Sequence, residues 1–295
     1  MEELQAYTPE EIILANLSEL TDRELAHREQ LRAHLRELAA EISAGMPDGT
    51  AFLSSLADYG AELDKILPAD SADRARALLA VEVRRLLPRD GSIWQDWFFP
   101  GAGDVSSAAH NRIAYQRSGY TDEAFACFSA LLRDARALYP HTLHAVCDEV
   151  AGGGCEYCIL PLESSGEGRL HAFASLIDAY NLKIAATCEV PIGDGRVTHY
   201  GLLRRGLAVL RPGDTVPRFL EIRCDMGDVS PEGILCGARI CGLPLTRSDW
   251  SRGKFDAVFS PGGDLPAFLL FLSLAYPHFE IVGLFRHLKA APPTA

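Results

Sequence analysis

The spacing of apolar positions predicts three helices in the first third of the chain. Thr8 is followed by a proline at the first helical position and by acids in the first turn, and apolar residues then recur at helical spacing toward Ile42. We expect one helix of roughly 35 residues here. The glycines and proline of 45–49 end it, and further helices are predicted over 50–66 and about 71–88.

In the middle third the pattern changes to alternating strands and helices, which is typical of an α/β layer. Strands are predicted at Arg112–Gln116, Thr142–Val146, Glu156–Leu162 and Leu182–Val190, with helices at Asp122–Leu138 and Leu170–Tyr180. Gly193-Asp194-Gly195 then separates two apolar runs, 183–192 and 196–204. Because glycines supply the positive φ angles of a tight turn, we expect an antiparallel hairpin with no inserted domain.

The last third is predicted to follow a ferredoxin-like order of elements. The predicted order is βαββαβ, with strands at 218–224, near 243–247, at 255–260 and at 280–288, and helices at 231–242 and 265–276. We therefore expect a multidomain α plus α/β protein with three parts, 1–104, 105–212 and 213–291. Only 290–295 looks like a frayed tail.

Composition and net charge limit the classes of molecule that the protein is expected to bind. Among 295 residues 48% are hydrophobic and 23% charged, as in ordinary globular proteins. The longest apolar stretch, 265–276, is too short to cross a bilayer, and the N-terminus has no apolar secretory segment, so we expect a cytoplasmic protein. The net charge of −12 argues against nucleic acid and anionic membranes as partners. Small molecules or proteins remain.

The eight cysteines are expected to be reduced thiols, since no secretory signal accompanies them. Cys155 and Cys158 have the spacing of a metal or redox pair, and that alternative needs a second pair. Cys236 and Cys241 are the nearest candidates and lie far off in sequence. We favour buried structural thiols, because Cys158 continues into an apolar strand.

Two further groups of residues give weak signals. His141 and His144 have no neighbours that complete a metal-ligand set. Gly152-Gly153-Gly154 precedes a predicted strand rather than a helix, unlike a nucleotide-binding loop. The sequence therefore predicts no metal site and no cofactor.

The segment from Tyr157 to Gly168 resembles the first lobe of prephenate dehydratase. That family has a VVPIENSxxG segment followed by a helix and a strand, and YCILPLESSGEG keeps the residues Pro161, Glu163, Ser165 and Gly168, with Ser164 in place of the family asparagine. Three other segments resemble the family's IxYLGPxGTFS start and its TRF motif, namely Arg112–Tyr115, Gly119-Tyr120-Thr121 and Thr198-His199-Tyr200.

The resemblance extends to both ends of the chain. The three predicted helices are similar to the chorismate mutase module of the bifunctional enzyme of phenylalanine synthesis. The βαββαβ segment is similar to the attached ACT regulatory domain. The resemblance implies catalytic residues Thr198, Glu163, Ser164 and Ser165, substrate-binding residues Tyr120, Thr121 and His199, and effector-binding residues Gly233, Ile234, Leu235 and Asp249.

Each of these assignments has a structural alternative. Thr198 is equally well a β-branched strand residue. The stretch Glu163–Ser165 is equally well a turn that caps the following helix. The helix after Gly233 is shorter than in the family, and Asp249 is one of few residues reminiscent of its ESRP segment, which puts the effector pocket in doubt.

Two departures from the family bear on activity. A mutase pocket holds a dianion with Arg and Lys donors, yet no Lys or Arg occurs between Glu37 and Asp64. Alignment on the family places Ser18, Leu35 and Met46 where it has cations. In the dehydratase part, Gly193-Asp194-Gly195 replaces the second lobe, which leaves the substrate cleft without one wall.

The leading hypothesis is a divergent homologue of chorismate mutase/prephenate dehydratase with degraded sites, a pseudoenzyme that binds a ligand or a partner. The ligand would be an aromatic amino acid or a prephenate-like acid, and the chain would form a homodimer. One alternative is an active dehydratase or mutase whose site is completed by a second subunit. Another is a structural module that associates with a pathway enzyme.

Overall fold

Three helices open the structure, a computed structural model that describes residues 9–45, 50–88, 97–98, 109–193, 195–207, 217–227, 230–251 and 253–288. Helix α1 spans Pro9–Ala44, α2 spans Thr50–Ile66 and α3 spans Ala69–Leu86. We call these three the helical head. The long, short and medium helices expected from the periodicity are present, whereas the likeness to a mutase stays a prediction.

The remaining described elements form one mixed sheet with helices on both faces. Five helices follow the head, α4 (Gly119–Ser129), α5 (Leu143–Ala151), α6 (His171–Ala179), α7 (Glu232–Ile240) and α8 (Leu265–Ala275). The strands are β1 (Arg112–Ala114), β2 (Arg136–Leu138), β3 (Tyr157–Ser164), β4 (Gly168–Arg169), β5 (Lys183–Pro191), β6 (Val197–Arg204), β7 (Phe219–Asp225), β8 (Leu245–Ser251), β9 (Lys254–Phe259) and β10 (Glu280–Leu288). Their order is β2-β1-β3-β6-β5-β10-β7-β9-β8, with β4 beside β3.

The elements from β7 to β10 have the predicted ferredoxin-like arrangement. They follow one another as β7-α7-β8-β9-α8-β10, and their strands lie in the order β10-β7-β9-β8. All three pairings between them are antiparallel. The βαββαβ prediction is confirmed as a fold, and we call this part the ferredoxin-like unit. Its identity as an ACT domain stays a prediction.

The rest of the sheet, β1 to β6 with α4 to α6, is called the lobe. Its strands β5 and β6 pair antiparallel from Lys183↔Arg204 to Pro191↔Val197. Gly193 and Gly195 have φ angles of 64° and 72°, which favour glycine. The predicted hairpin without an inserted domain is confirmed, although Asp194 lies outside the described residues.

Two predicted elements of the lobe are wrong. Thr142–Val146 is not a strand, because the Thr142 hydroxyl accepts a hydrogen bond from the Ala145 amide at 3.1 Å and caps α5. The helix predicted over Asp122–Leu138 ends at Ser129. Asp134 has a left-handed φ of 54°, and the chain then enters β2, which runs parallel to β1.

The helical head packs on the ferredoxin-like unit and shares its core. Helices α2 and α3 lie against α8, and α3 also contacts α7. The approach at Gly60 is so close that a Cβ there would lie 1.8 Å from the Leu274 carbonyl oxygen, so only glycine fits. Leu35, where the resemblance suggested a lost cation, is 4% exposed and belongs to this core. Ser18 is exposed, and Met46 and residues 290–295 lie outside the described part.

Residues 17–34 of α1 belong to none of the hydrophobic core clusters of the described structure. From 17 to 34 every residue is exposed, including Leu17 and Leu20 at 55% and 60%. The domain bounds predicted at 104 and 212 stay predictions. No helix among the described residues is long and apolar enough to span a membrane.

Candidate functional site

Four predicted site residues on β3 and β6 lie on two opposite faces of the sheet. On β6, Thr198 pairs with Ser164 of β3, and His199 pairs with Glu163. Because successive residues of a strand point to opposite faces, Thr198 and Ser164 share one face while His199 and Glu163 share the other. The sheet itself therefore separates the predicted set into two pairs.

Helix α4 covers the face that carries Thr198, which we call the closed face. Thr198 is 6% exposed, and the surrounding positions form an apolar cluster that includes Tyr115, Phe128 and Tyr200. The Tyr115 hydroxyl donates a 2.8 Å hydrogen bond to Asp122 at the start of α4. Burial, the largest cause, raises the pKa of Tyr115. This face is filled by packed side chains.

The predicted substrate-binding residues Tyr120 and Thr121 lie in the first turn of α4. Thr121 forms a capping box with Ser118: its hydroxyl accepts from the Ser118 amide at 2.8 Å, and its amide donates to the Ser118 hydroxyl at 3.2 Å. Tyr120 is 47% exposed. The position of Thr121 is thus explained by helix capping.

Ser164 and Ser165 hold the turn between β3 and β4. The Ser165 hydroxyl accepts from the Val197 amide at 2.9 Å, and the Ser165 amide donates to the Val197 carbonyl at 2.8 Å. The alternative prediction, a turn that caps α6, is wrong, because the cap residue of α6 is Leu170 and makes no side-chain cap bond. Ser165 instead joins the turn to the first residue of β6.

The other face contains a cavity of about 380 Å³ where the lobe meets the ferredoxin-like unit. We call it the seam cavity. Phe219 and Phe285 stack at a ring distance of 5.8 Å, and His287 lies edge-on to Phe219 at 6.1 Å. The wall consists of Leu162, Glu163, Thr187, Glu189, His199, Phe219, Glu221, Thr246, Arg247, Val258, Phe285 and His287. Aromatic, aliphatic and charged groups thus meet in one concave site.

An ion pair crosses the seam cavity. The Arg247 guanidinium of β8 donates to the Glu163 carboxylate of β3. Its other terminal nitrogen lies 3.7 Å from a Glu221 oxygen. Burial lowers the pKa of Arg247. Glu221 is 1% exposed, and burial raises its pKa. Its carboxylate also lies 3.2 Å from Arg169.

Glu221 connects the Arg247–Glu163 ion pair to a buried network of further charged residues. Arg223 donates to Asp256 at 2.7 Å and to Asp178 of α6. Arg169 lies 3.4 Å from the same Asp256. The network joins the lobe to the ferredoxin-like unit, so its charges are held in fixed positions relative to the cavity.

Glu189, His199 and His287 lie together at one side of the cavity. One ligand atom from each lies within 4.8 Å of the others. The His287 Nε2 is 3.2 Å from a Glu189 oxygen, and its Nδ1 is 3.0 Å from the Thr187 hydroxyl. Sequence spacing missed this group because His287 lies on β10, far along the chain from Glu189 on β5 and His199 on β6.

The predicted effector residues do not come together within one chain. Gly233 lies on α7, and a Cβ there would meet the Asp73 carboxylate at 1.8 Å and the Tyr276 hydroxyl at 2.2 Å. Ile234 is fully buried, and Leu235 packs at the edge of the same core. Asp249 pairs with Asp256 on the opposite, charged face of the sheet. In the described structure the two predicted segments therefore lie on different sides of the sheet.

The cysteines are free thiols. Of the eight, six are buried and two are half-buried. Cys158 lies next to Cys147, and that contact and burial raise its pKa. Cys155 and Cys158 are both buried, as the interpretation as structural thiols expects.

No protein-family model and no curated protein matches the chain. Among solved structures, GqqA, described as a novel type of quorum quenching acylase, is 22% identical with a TM-score of 0.45, over 62% of this chain and 96% of that one. Prephenate dehydratase from Streptococcus mutans is 19% identical with a TM-score of 0.47, over 61% and 99%. Prephenate dehydratase from Arthrobacter aurescens, in complex with L-Phe, is 12% identical with a TM-score of 0.46, over 59% and 89%. Likenesses this distant leave the function to be argued from the residues.

Proposed function

We propose that the chain is a divergent homologue of chorismate mutase/prephenate dehydratase that binds an aromatic amino acid in the seam cavity and catalyses neither reaction. One observation carries this proposal. The sheet separates Thr198 from Glu163 and His199, while Glu163 is engaged by Arg247 in a cavity of a size suited to a small molecule.

The loss of dehydratase activity is supported by the position of Thr198. Its hydroxyl belongs to the closed face and is almost fully buried, whereas a catalytic group has to touch the reacting atoms. The loss of mutase activity is supported by the head. Leu35 is a core residue, and Arg28 and Arg36 lie beside Glu24 and Glu82, at 2.5 and 3.7 Å. A dianion finds no cluster of donors on these residues.

The charges of the seam cavity favour an amino acid over a prephenate-like acid. Three carboxylates, those of Glu163, Glu189 and Glu221, face it against the guanidinium of Arg247. Arg169, at 3.2 Å from the Glu221 carboxylate, neutralises part of its negative charge. This surplus of carboxylates attracts an ammonium group and repels a second carboxylate on the ligand.

The three groups of an aromatic amino acid each have a counterpart in the cavity. The ligand carboxylate pairs with Arg247, as guanidinium and carboxylate groups do elsewhere. The ammonium group lies toward Glu221 or Glu189. The ring packs on Phe219 and Phe285, whose stacked geometry accepts a further ring.

Calorimetric titration of the full chain with L-phenylalanine, in a buffer containing a chelator, tests the proposal. We expect saturable binding that Arg247→Met weakens by about 10- to 100-fold, since a hydrogen bond to a charged group contributes about 1.5–3 kcal/mol. The matched control is Arg136→Met, an exposed arginine on β2. N-acetyl-phenylalanine, which lacks the ammonium group, is expected to bind more weakly than phenylalanine.

Direct assays of both reactions decide between this proposal and the active enzyme. Neither chorismate nor prephenate should be turned over at high protein concentration. Prephenate turnover that disappears in Thr198→Ala would favour the alternative, a dehydratase site completed by a second subunit. If the chain neither binds phenylalanine nor turns over chorismate or prephenate, the proposed amino-acid ligand is wrong and the partner-binding hypothesis remains.

The homodimer also remains our proposal. The exposed leucines of α1 would be covered by the same helix of a second copy, because a long helix with a bare apolar stripe is poorly stable alone. Light scattering at micromolar concentration should give a dimer for the natural chain and a monomer for Leu17→Glu with Leu20→Glu. A one-chain particle for the natural sequence would contradict it.

A further inference from the structure

We propose that Glu189, His199 and His287 form a binding site for a divalent transition-metal ion such as Zn²⁺. Their ligand atoms lie within 4.8 Å of one another on the wall of the seam cavity. Two imidazoles and one carboxylate are a donor set that proteins use for zinc and for iron(II), with the remaining positions left for water or a ligand. The proposal does not depend on the proposed amino-acid ligand.

The backbone ladder holds the three residues in place. Glu189 of β5 is the direct partner of His199 on β6. On the other side of β5, His287 of β10 is the partner of Thr187, two residues before Glu189. The three side chains therefore point to the same face from three adjacent strands, at the spacing of direct and diagonal neighbours.

The Thr187 hydroxyl orients the ring of His287. It lies 3.0 Å from Nδ1 and is itself buried, at 6% exposure as a residue. This leaves Nε2 as the nitrogen that faces Glu189, at 3.2 Å from the carboxylate. Metal-binding histidines have this arrangement, with the second nitrogen held by a hydrogen-bonding partner. Thr187 is thus a positioning residue.

A metal ion fits after a small closure of the site. Bonds of about 2.0–2.2 Å to nitrogen and oxygen place donor atoms roughly 3–3.5 Å apart, and the His287–Glu189 pair is already at 3.2 Å. The side chains of Glu189 and His287 are 42% and 26% exposed, so they have room to rotate. The neighbouring carboxylates of Glu163 and Glu221 make the cavity attractive to a cation.

The test is a titration of the chelator-treated, full-length chain with Zn²⁺ alone, without any amino acid. We expect one site with a dissociation constant in the micromolar range or below, and at least a tenfold weakening in His199→Gln and in His287→Gln. His144→Gln, an exposed histidine on α5, is the matched control and should bind as the natural chain does. Thr187→Val should weaken binding by about 10- to 100-fold, and Thr187→Ser should restore it.

Co²⁺ provides a readout that needs no variant. The cobalt-loaded chain should show ligand-field absorption of nitrogen and oxygen ligands without a thiolate charge-transfer band. A thiolate band, or Zn²⁺ binding that persists unchanged in both histidine variants, would move the metal to the cysteines and overturn the proposal. Absence of binding at millimolar Zn²⁺ would overturn it as well. Because phenylalanine binding is measured in a chelator, the two proposals fail independently.

Discussion

The two faces of β6 differ in what fills them, although their residues alternate along one strand. On the closed face, Tyr200 and Leu202 pack in an apolar cluster beneath α4. On the other, His199 borders a cavity whose wall is charged. A packed face contributes stability and leaves no room for a ligand, whereas a charged concave face costs burial energy and offers binding. Residues adjacent in a motif can therefore have unrelated roles.

Truncation on the closed face should have the largest effect. Phe128 of α4 is fully buried in this apolar cluster, so Phe128→Ala is expected to lower the free energy of unfolding by about 3–5 kcal/mol through lost burial and a cavity. Urea unfolding measures it. The folded fraction should bind phenylalanine with unchanged affinity, and a loss of affinity without loss of stability would show that the two faces are not independent.

Glu221 on the cavity side should make stability depend on pH. Burial raises its pKa in the folded chain above the unfolded value of about 4.3, so the folded state binds more protons in the window between them. Stability from this group therefore falls as pH rises above about 4. The stability cost of Glu221→Gln should shrink with rising pH, by at most about 1.4 kcal/mol for each unit by which the pKa is raised.

Unfolding curves of the natural chain and of Glu221→Gln, taken at about pH 4.5 and at successively higher pH, provide the measurement. Glu29→Gln, on the exposed part of α1, serves as the control. A cost that grows with pH would mean that the arginines around Glu221 outweigh its burial.

The smallest effect is expected from Thr198→Val on the closed face. Valine keeps the branched shape and removes only the hydroxyl, so the free energy of unfolding should change by about 1 kcal/mol at most, the net contribution of an ordinary hydrogen bond. Phenylalanine affinity should change by less than about twofold, because Thr198 does not line the cavity. The same substitution at Thr187, on the neighbouring strand β5 and in the wall of the seam cavity, should alter metal binding. If Thr198→Val and Thr187→Val changed ligand and metal binding in the seam cavity equally, the two faces of the sheet would not be independent.

Much of the fold was predictable because local signals and tertiary packing agree. The helices of the head, the glycine hairpin and the βαββαβ order each follow from periodicity and turn residues. The errors lie where a local rule was overridden. Residues 130–138 continue an apolar pattern, yet β2 pairs with β1, and Thr142 has the β-branched shape of a strand residue while its hydroxyl caps a helix.

The candidate site was much less predictable. The resemblance of Thr198-His199-Tyr200 to the TRF motif assigns Thr198 and His199 to one site, and the pleat of the strand separates them. Arg247 and Glu163 are 84 residues apart, and no spacing rule joins them. His287 belongs to no sequence motif. Sites of this kind arise from strand order, and strand order across a long connection is not a property of any local pattern.

The parallel pairing of β5 with β10 has a consequence for how the protein forms. Thr187 must wait for His287 to be synthesised 100 residues later, and the ferredoxin-like unit has to supply that strand across a long loop of chain. Pairings of such high sequence separation are slow to form. Phe285 and His287 of β10 line the seam cavity, so the cavity comes into existence only in that late step. A nascent chain that has paired β5 with β6 but not yet with β10 has no place for a ligand, and ligand binding would mark the chains that have completed assembly.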